Sequence, residues 1–167
     1  MLKKLHHVAY RCLDAEATRR FYVDGLGLKF AAALVQEYVP SIRKNDPHNH
    51  IFFEMEDGSF IAFFDVLNDE GPQTPVEHDW AQHLALEVDS AEKAEAIAKR
   101  LRAMGTDIIG PVEHGMCASW YFYDPSGHRL EMAVRTDSPQ MWDEFAKIAP
   151  REMIEWNARK TAKAASR

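Results

Sequence analysis

Two stretches of the chain alternate between apolar and polar residues with period two, and each is followed by the signals of a helix. In Leu5 to Cys12, Val8, Tyr10 and Cys12 fall on one face and His7, Ala9 and Arg11 on the other. In Gln82 to Val88, Leu84, Leu86 and Val88 fall on one face and His83, Ala85 and Glu87 on the other. After the first strand, Asp14 is a helix N-cap, the helix runs to Val23, and Gly25 and Gly27 close it. After the second, Asp89 or Ser90 caps a helix whose Ala94, Ile97, Ala98, Leu101 and Met104 form an apolar stripe ended by Gly105. Three strands are expected to follow each helix. In the first half they are Leu28 to Tyr38, Ile51 to Met55 and Phe60 to Val66, with Pro40 to His50 read as a loop and Asp57-Gly58 as a hairpin turn. In the second half they are Asp107 to Ile109, Ser119 to Tyr123 and His128 to Arg135, with Gly110 to Gly115 as a loop and Asp124 to Gly127 as a turn.

The order strand, helix, three strands therefore occurs twice, and repeats decide architecture. The fold class expected is α+β: two paired βαβββ modules, residues 4–67 and 80–135, forming a curled mixed sheet around a cleft. Asn68 to Pro75 links them, and residues 1–137 make one domain. In the tail, 138–167, Ser138-Pro139 opens a helix with Met141, Trp142, Phe145 and Ile148 on one stripe. Pro150 is expected to break it before a second short helix around Met153 to Trp156.

Composition narrows the function classes. The 167 residues are 46% hydrophobic and 28% charged, ordinary for a soluble globular protein. No run approaches the roughly 20 apolar residues of a membrane span, and the N-terminus has no secretory apolar segment. A net charge of -6 opposes phosphate-driven nucleic-acid binding. Two cysteines, Cys12 and Cys117, suit a reducing cytoplasm rather than a disulfide framework. A homodimer is the base-rate expectation.

The candidate chemistry lies on polar strand faces. His7, His83 and Glu131 each occupy such a face with apolar neighbours, the two histidines at matching positions of the repeat. Two imidazoles and one carboxylate are the facial set that leaves open positions on non-haem Fe(II). His48, His50 and His78 are candidates for additional hydrogen bonds, and Phe52, Phe53, Phe63, Phe64 and Trp80 for an aromatic pocket.

The segments Leu5-His6-His7-Val8-Ala9-Tyr10, Phe21 to Leu28, His83 to Val88 and Asp124 to Glu131 together resemble the vicinal oxygen chelate superfamily. It includes glyoxalase I, type I extradiol dioxygenases, methylmalonyl-CoA epimerase and the fosfomycin and bleomycin resistance proteins. The resemblance implies a divalent metal with ligand roles on His7, His83 and Glu131, His6 being the less favoured neighbour. Aligning the turn glycines Gly58 and Gly127 sets Ala62 opposite Glu131, which leaves three protein ligands where glyoxalase I and the epimerase use four. Val112-Glu113-His114, then Trp120-Tyr121, Asp124-Pro125, Gly127 and Glu131 resemble the extradiol ring-cleavage signature. That assigns acid/base work to His114 and substrate orientation to Tyr121, with Trp120 standing where the signature has an aliphatic residue or Phe. The function expected is Fe(II) extradiol cleavage of a catecholic small molecule. The alternatives are an isomerase, epimerase, lyase or thiol transferase using Mn, Co, Ni or Zn, and a non-enzymatic binder of the resistance type.

Overall fold

The structure is a computed structural model, and it describes residues 3–69 and 79–165. His78 and most of the expected linker lie outside the described residues. Each half builds its own four-stranded mixed sheet. The first half contains β1 (His7–Cys12), α1 (Ala15–Arg20), β2 (Lys29–Val39), β3 (Lys44–Glu54) and β4 (Phe60–Val66); the second contains β5 (Leu84–Glu87), α2 (Ala91–Ala103), β6 (Ile109–Glu113), β7 (Cys117–Tyr123) and β8 (Arg129–Arg135). Strand orders are β1-β4-β3-β2 and β5-β8-β7-β6, the same permutation twice. In each sheet the first strand pairs parallel to the last and the other pairings are antiparallel. The two βαβββ modules read from the sequence are thus present.

The local signals act as expected at the helix starts. Asp14 accepts from the Ala17 amide at 2.7 Å, and Ser90 accepts from the Lys93 amide at 3.3 Å. Past α1 the chain continues as one wider turn, Phe21–Gly25, that buries Phe21 and Tyr22. The apolar strand faces and helix stripes meet in one core that spans both halves, including Tyr22, Phe53, Phe63, Leu101, Trp120, Phe122 and Leu130. Phe53 and Phe63 are fully buried here, which corrects their assignment to an aromatic pocket. The halves are also tied by polar bonds. The Tyr22 hydroxyl donates to buried Asp124 at 3.2 Å, His128 Nε2 donates to the Arg11 carbonyl at 2.7 Å, and the Leu13 amide donates to Ser126 Oγ at 3.1 Å.

Three segments differ from the sequence reading. Most of the expected loop Pro40 to His50 belongs to β3, which pairs with β2 along its length. Pro47 is tolerated because it falls where the ladder shifts register, between the pairs Gln36↔His48 and Tyr38↔Asn45, so its missing amide costs no ladder bond. β6 occupies much of the expected loop after Ile109. Gly110 sits there at φ 147°, and a Cβ on it would lie 2.6 Å from the Ser119 carbonyl oxygen and 2.9 Å from Trp120 Cα. Gly110→Ala is expected to destabilise the fold by roughly 2–4 kcal/mol through backbone clash, visible as a fall in the denaturation midpoint.

The tail forms one helix, α3 (Pro139–Ala165), which continues through Pro150 at the cost of the amide bond that proline lacks. None of its residues is buried. Its start is pinned by Asp137, which takes bonds from Arg135 (2.7 and 2.8 Å) and from the Trp142 indole. The Arg135 bond, then the Trp142 bond, holds the Asp137 carboxyl down at about 2. A depressed carboxylate pKa gives stability present above the unfolded value near 3.8 and lost as pH falls toward 2. The start of α3 is therefore expected to loosen between about pH 4 and 2, with Trp142 fluorescence reporting it and Asp137→Asn removing the pH step.

Candidate metal and proton-transfer site

The second sheet gathers most of the candidate residues on its open face. His83 precedes β5, and Glu131 and Tyr121 are directly paired across β8 and β7. His83 Nε2 lies 2.8 Å from Glu131 Oε2. The other ring nitrogen, Nδ1, donates to the Trp80 carbonyl at 3.2 Å, which fixes the ring's orientation and turns Nε2 toward the carboxylate. The second carboxylate oxygen, Glu131 Oε1, accepts from Ser119 Oγ at 2.5 Å. Glu131 is only 5% exposed, so its charge is held by defined partners rather than by water.

Tyr121 links this pair to His114. Its hydroxyl is 2.9 Å from His114 Nε2, and its ring meets the His83 ring edge-on with centroids 5.9 Å apart. The Arg129 guanidinium stacks 4.8 Å from the centre of the Tyr121 ring. Partial burial, then the nearby Glu131 charge, raises the Tyr121 phenol above its ordinary value, opposed by a Ser119 hydrogen bond. The phenol is therefore a proton donor at neutral pH. His114 sits at the turn between β6 and β7, where its amide donates to the Cys117 carbonyl at 2.9 Å.

The structure brings the sequence candidates His83, Glu131, Tyr121 and His114 together, and sets beside them Ser119 and Arg129, which the sequence reading does not name. Strand period two carried the missing signal. Ser119 and Tyr121 are alternate residues of β7, and Arg129 and Glu131 are alternate residues of β8, so all four share the open face.

His7 occupies the corresponding open face of the first sheet. Its ring is 6.1 Å from Phe52, and its Nδ1 is 2.8 Å from His6 Nδ1. Among the described residues no group of three His, Cys, Asp or Glu side chains comes together as a metal-holding cluster within the chain. His83 and Glu131 are brought together; His7 is not brought to them. The β-ladders also test the internal alignment. Ala9 pairs with Ala62 as Ala85 pairs with Glu131, so Ala62 is the first-sheet counterpart of Glu131. The first half accordingly offers no carboxylate at that position.

The pair His83–Glu131 fits half of a divalent-metal site. His83 Nε2 and Glu131 Oε2 converge at 2.8 Å while their other polar atoms are bonded away, so one ion could take both. An imidazole nitrogen and a carboxylate oxygen, each oriented by a hydrogen bond to its other polar atom, are donor types that such an ion takes.

The family model described as the Glyoxalase/Bleomycin resistance protein/Dioxygenase superfamily matches residues 4–132. The chain belongs to that superfamily. Among relatives of the superfamily, a lactoylglutathione lyase of Neisseria meningitidis is 27% identical over 143 residues, covering 77% of this chain and 88% of the relative. The glyoxylase/bleomycin resistance protein/dioxygenase domain from Frankia sp. EAN1pec shares the fold with a TM-score of 0.64 at 17% identity, over 81% of this chain and 99% of that one. A mutant of the fosfomycin resistance protein FosX from Listeria monocytogenes, complexed with Mn(II) and 1S,2S-dihydroxypropylphosphonic acid, matches with a TM-score of 0.58 at 17% identity, over 84% of this chain and 98% of that one. The superfamily includes metal-dependent enzymes. No helix among the described residues is long and apolar enough to cross a membrane.

Proposed function

We propose that this superfamily member is a divalent-metal enzyme acting on a small molecule with two vicinal oxygens. Its ion is held by His83 and Glu131 of one chain and by His7 of a second copy. The separation of His7 from the other two within the chain supports the shared site, since a second copy can present the first sheet's open face to the second sheet's. With Ala62 in the counterpart position of Glu131, the protein supplies three ligands and leaves the remaining positions open.

Our reading of the reaction is extradiol cleavage of a catecholic ring, in the cytoplasm, with Fe(II) as the ion. An iron held by His83 and Glu131 with His7 of a second copy would supply Lewis-acid and electron-transfer chemistry for the reaction of a catechol with O2. Both atoms of O2 enter the product as the ring carbon–carbon bond beside the diol breaks, so no outside reductant is required. The single observation that carries this reading is the Tyr121–His114 hydrogen bond beside Glu131. The Tyr121 hydroxyl orients one substrate oxygen, and His114 Nε2 accepts and later returns a proton through it.

Likeness to a lactoylglutathione lyase and to a Mn(II)-complexed FosX favours a second reading. In it the same residues serve a lyase, isomerase or transferase using Mn, Co, Ni or Zn. The experiment is metal analysis of protein purified without oxygen, followed by O2 uptake with catechol. About one iron per chain and catechol-dependent uptake support ring cleavage; tight Mn, Co, Ni or Zn with no uptake overturns it in favour of the second reading. Tyr121→Phe is expected to lower kcat about a hundredfold with metal content unchanged. Loss of metal in that variant would show that Tyr121 supports the ligands rather than the substrate.

A further inference from the structure

Arg129 stands beside the candidate site with no acceptor on its guanidinium. It shares the open face of the second sheet with Ser119, Tyr121 and Glu131, two residues along β8 from the Glu131 carboxylate. The guanidinium lies 4.8 Å from the centre of the Tyr121 ring, which supports one side of it. Its Nε is covered and has no hydrogen-bond partner. Its terminal nitrogens, Nη1 and Nη2, are not covered, and among the described residues no acceptor reaches them. Glu131 does not neutralise the charge, because one of its oxygens accepts from Ser119 and the other meets His83. The half-buried arginines Arg11 and Arg19, by contrast, each hold a carboxylate at 2.8 Å.

A charged side chain taken part-way out of water is ordinarily paired. The chain as a whole carries a net charge of -6, which repels anions, so an unpaired cation here selects for one locally. With Nε covered, the Nη1–Nη2 edge is the one a ligand meets. That edge presents two parallel N–H bonds, the arrangement that the two oxygens of a carboxylate accept together. It is open to approach: α2 packs on the opposite face, where it takes the Trp120 indole bond, while His83 is exposed and Tyr121 and Arg129 are half-buried. About 7 Å of strand separates Arg129 from Glu131, a distance that one six-membered ring with a substituent bridges. Tyr121, in ring contact with both His83 and Arg129, joins the two anchors.

We infer that Arg129 is a specificity residue that binds a carboxylate of the substrate through its Nη1–Nη2 edge. The carboxylate is additional to the two vicinal oxygens, so the substrate class is a catechol carboxylic acid rather than a neutral catechol. The inference rests on the reading of the site as a vicinal-oxygen centre and names the charge of the molecule it takes. The diol is held at one end of the ring and the acid group at the other, which fixes the ring over Tyr121 in one orientation.

The test uses the full-length protein with its metal and without oxygen, so that binding is read and nothing turns over. Calorimetric Kd values are measured for 3,4-dihydroxybenzoate and 3,4-dihydroxybenzamide, which share the ring and the diol and differ in charge. The acid is expected to bind about thirtyfold more tightly, the worth of charge-assisted hydrogen bonds, and the preference to shrink as salt is raised. Arg129→Gln removes the charge and is expected to cut the preference to about threefold or less, with amide affinity within about twofold of wild type and metal content unchanged. Arg129→Lys keeps the charge without the fork and should fall between the two. Equal binding of acid and amide, failure of the acid to bind, or a preference that survives in Arg129→Gln overturns the assignment. Loss of amide affinity alongside acid affinity in both variants also overturns it, by showing that Arg129 only supports Tyr121. Failure of the metal reading would show separately, as absence of stoichiometric metal in the wild-type protein whatever these affinities are.

Discussion

Mixing His7→Ala protein with Glu131→Ala protein is expected to restore about a quarter of the wild-type metal content, although each variant alone holds none. The expectation follows from where the structure places the three proposed ligands. Within one chain His83 and Glu131 touch at 2.8 Å, and His7 lies on the other sheet. If a second copy supplies His7, a mixed dimer contains one doubly damaged site and one site with every ligand intact. Random exchange makes about half of the dimers mixed, and half of the sites in those are whole. A site built inside one chain would gain nothing from mixing, because every chain then carries one lesion. Metal analysis of the exchanged sample therefore decides the matter, and failure to regain metal above either parent would exclude the shared site. The effect of each single variant should be large. Removing one of three protein ligands also removes the charge or lone pair that orients the other two, and activity should fall by at least about a thousandfold.

The local devices of the fold were legible because each rests on a short-range rule. Period-two faces marked β1 and β5, a capping Asp and closing glycines marked α1, and a cap, an apolar stripe and a glycine marked α2. The repeat gave the equivalence of Ala62 and Glu131, which the ladder registers reproduce. What failed was non-local. The histidine- and proline-bearing start of β3 looks like a loop until β2 is laid beside it, when Pro47 falls at the register shift and its absent amide is harmless. Pro150 looks like a helix end, yet α3 continues through it. In the site, the residue types and strand faces were readable, but which ligands meet depends on how two separate sheets sit. Alternation along β1, β5 and β8 carries no information about that. Period two puts Ser119 and Arg129 on the open face, but their partners there, Glu131 and Tyr121, are set by the strand register.

Trp120→Ala is expected to cost about 3–5 kcal/mol, the range for emptying a large aromatic site in a core. Trp120 is 1% exposed and packs inside the cluster that joins both halves, while its indole N–H donates to Glu95 of α2 at 2.8 Å. That loss is a large share of the roughly 5–15 kcal/mol by which a domain of this size is stable, and a fall in Tm of roughly 10 °C or more should follow. The consequence reaches the site, since Trp120 lies between Ser119 and Tyr121 on β7 with its side chain on the opposite face. A strand that loses its core anchor can no longer hold Ser119 on Glu131 or Tyr121 on His114. Trp120 is also where the chain departs from the ring-cleavage signature, which has an aliphatic residue or Phe before the tyrosine. The structure gives that departure a physical reason: the position faces the core, and the indole reaches α2. Trp120→Phe should therefore fold, losing about 1–2 kcal/mol for the missing volume and the Glu95 bond. Its metal content should match that of the wild type. Loss of metal in a folded Trp120→Phe protein would mean that this residue shapes the site itself rather than the strand that carries it.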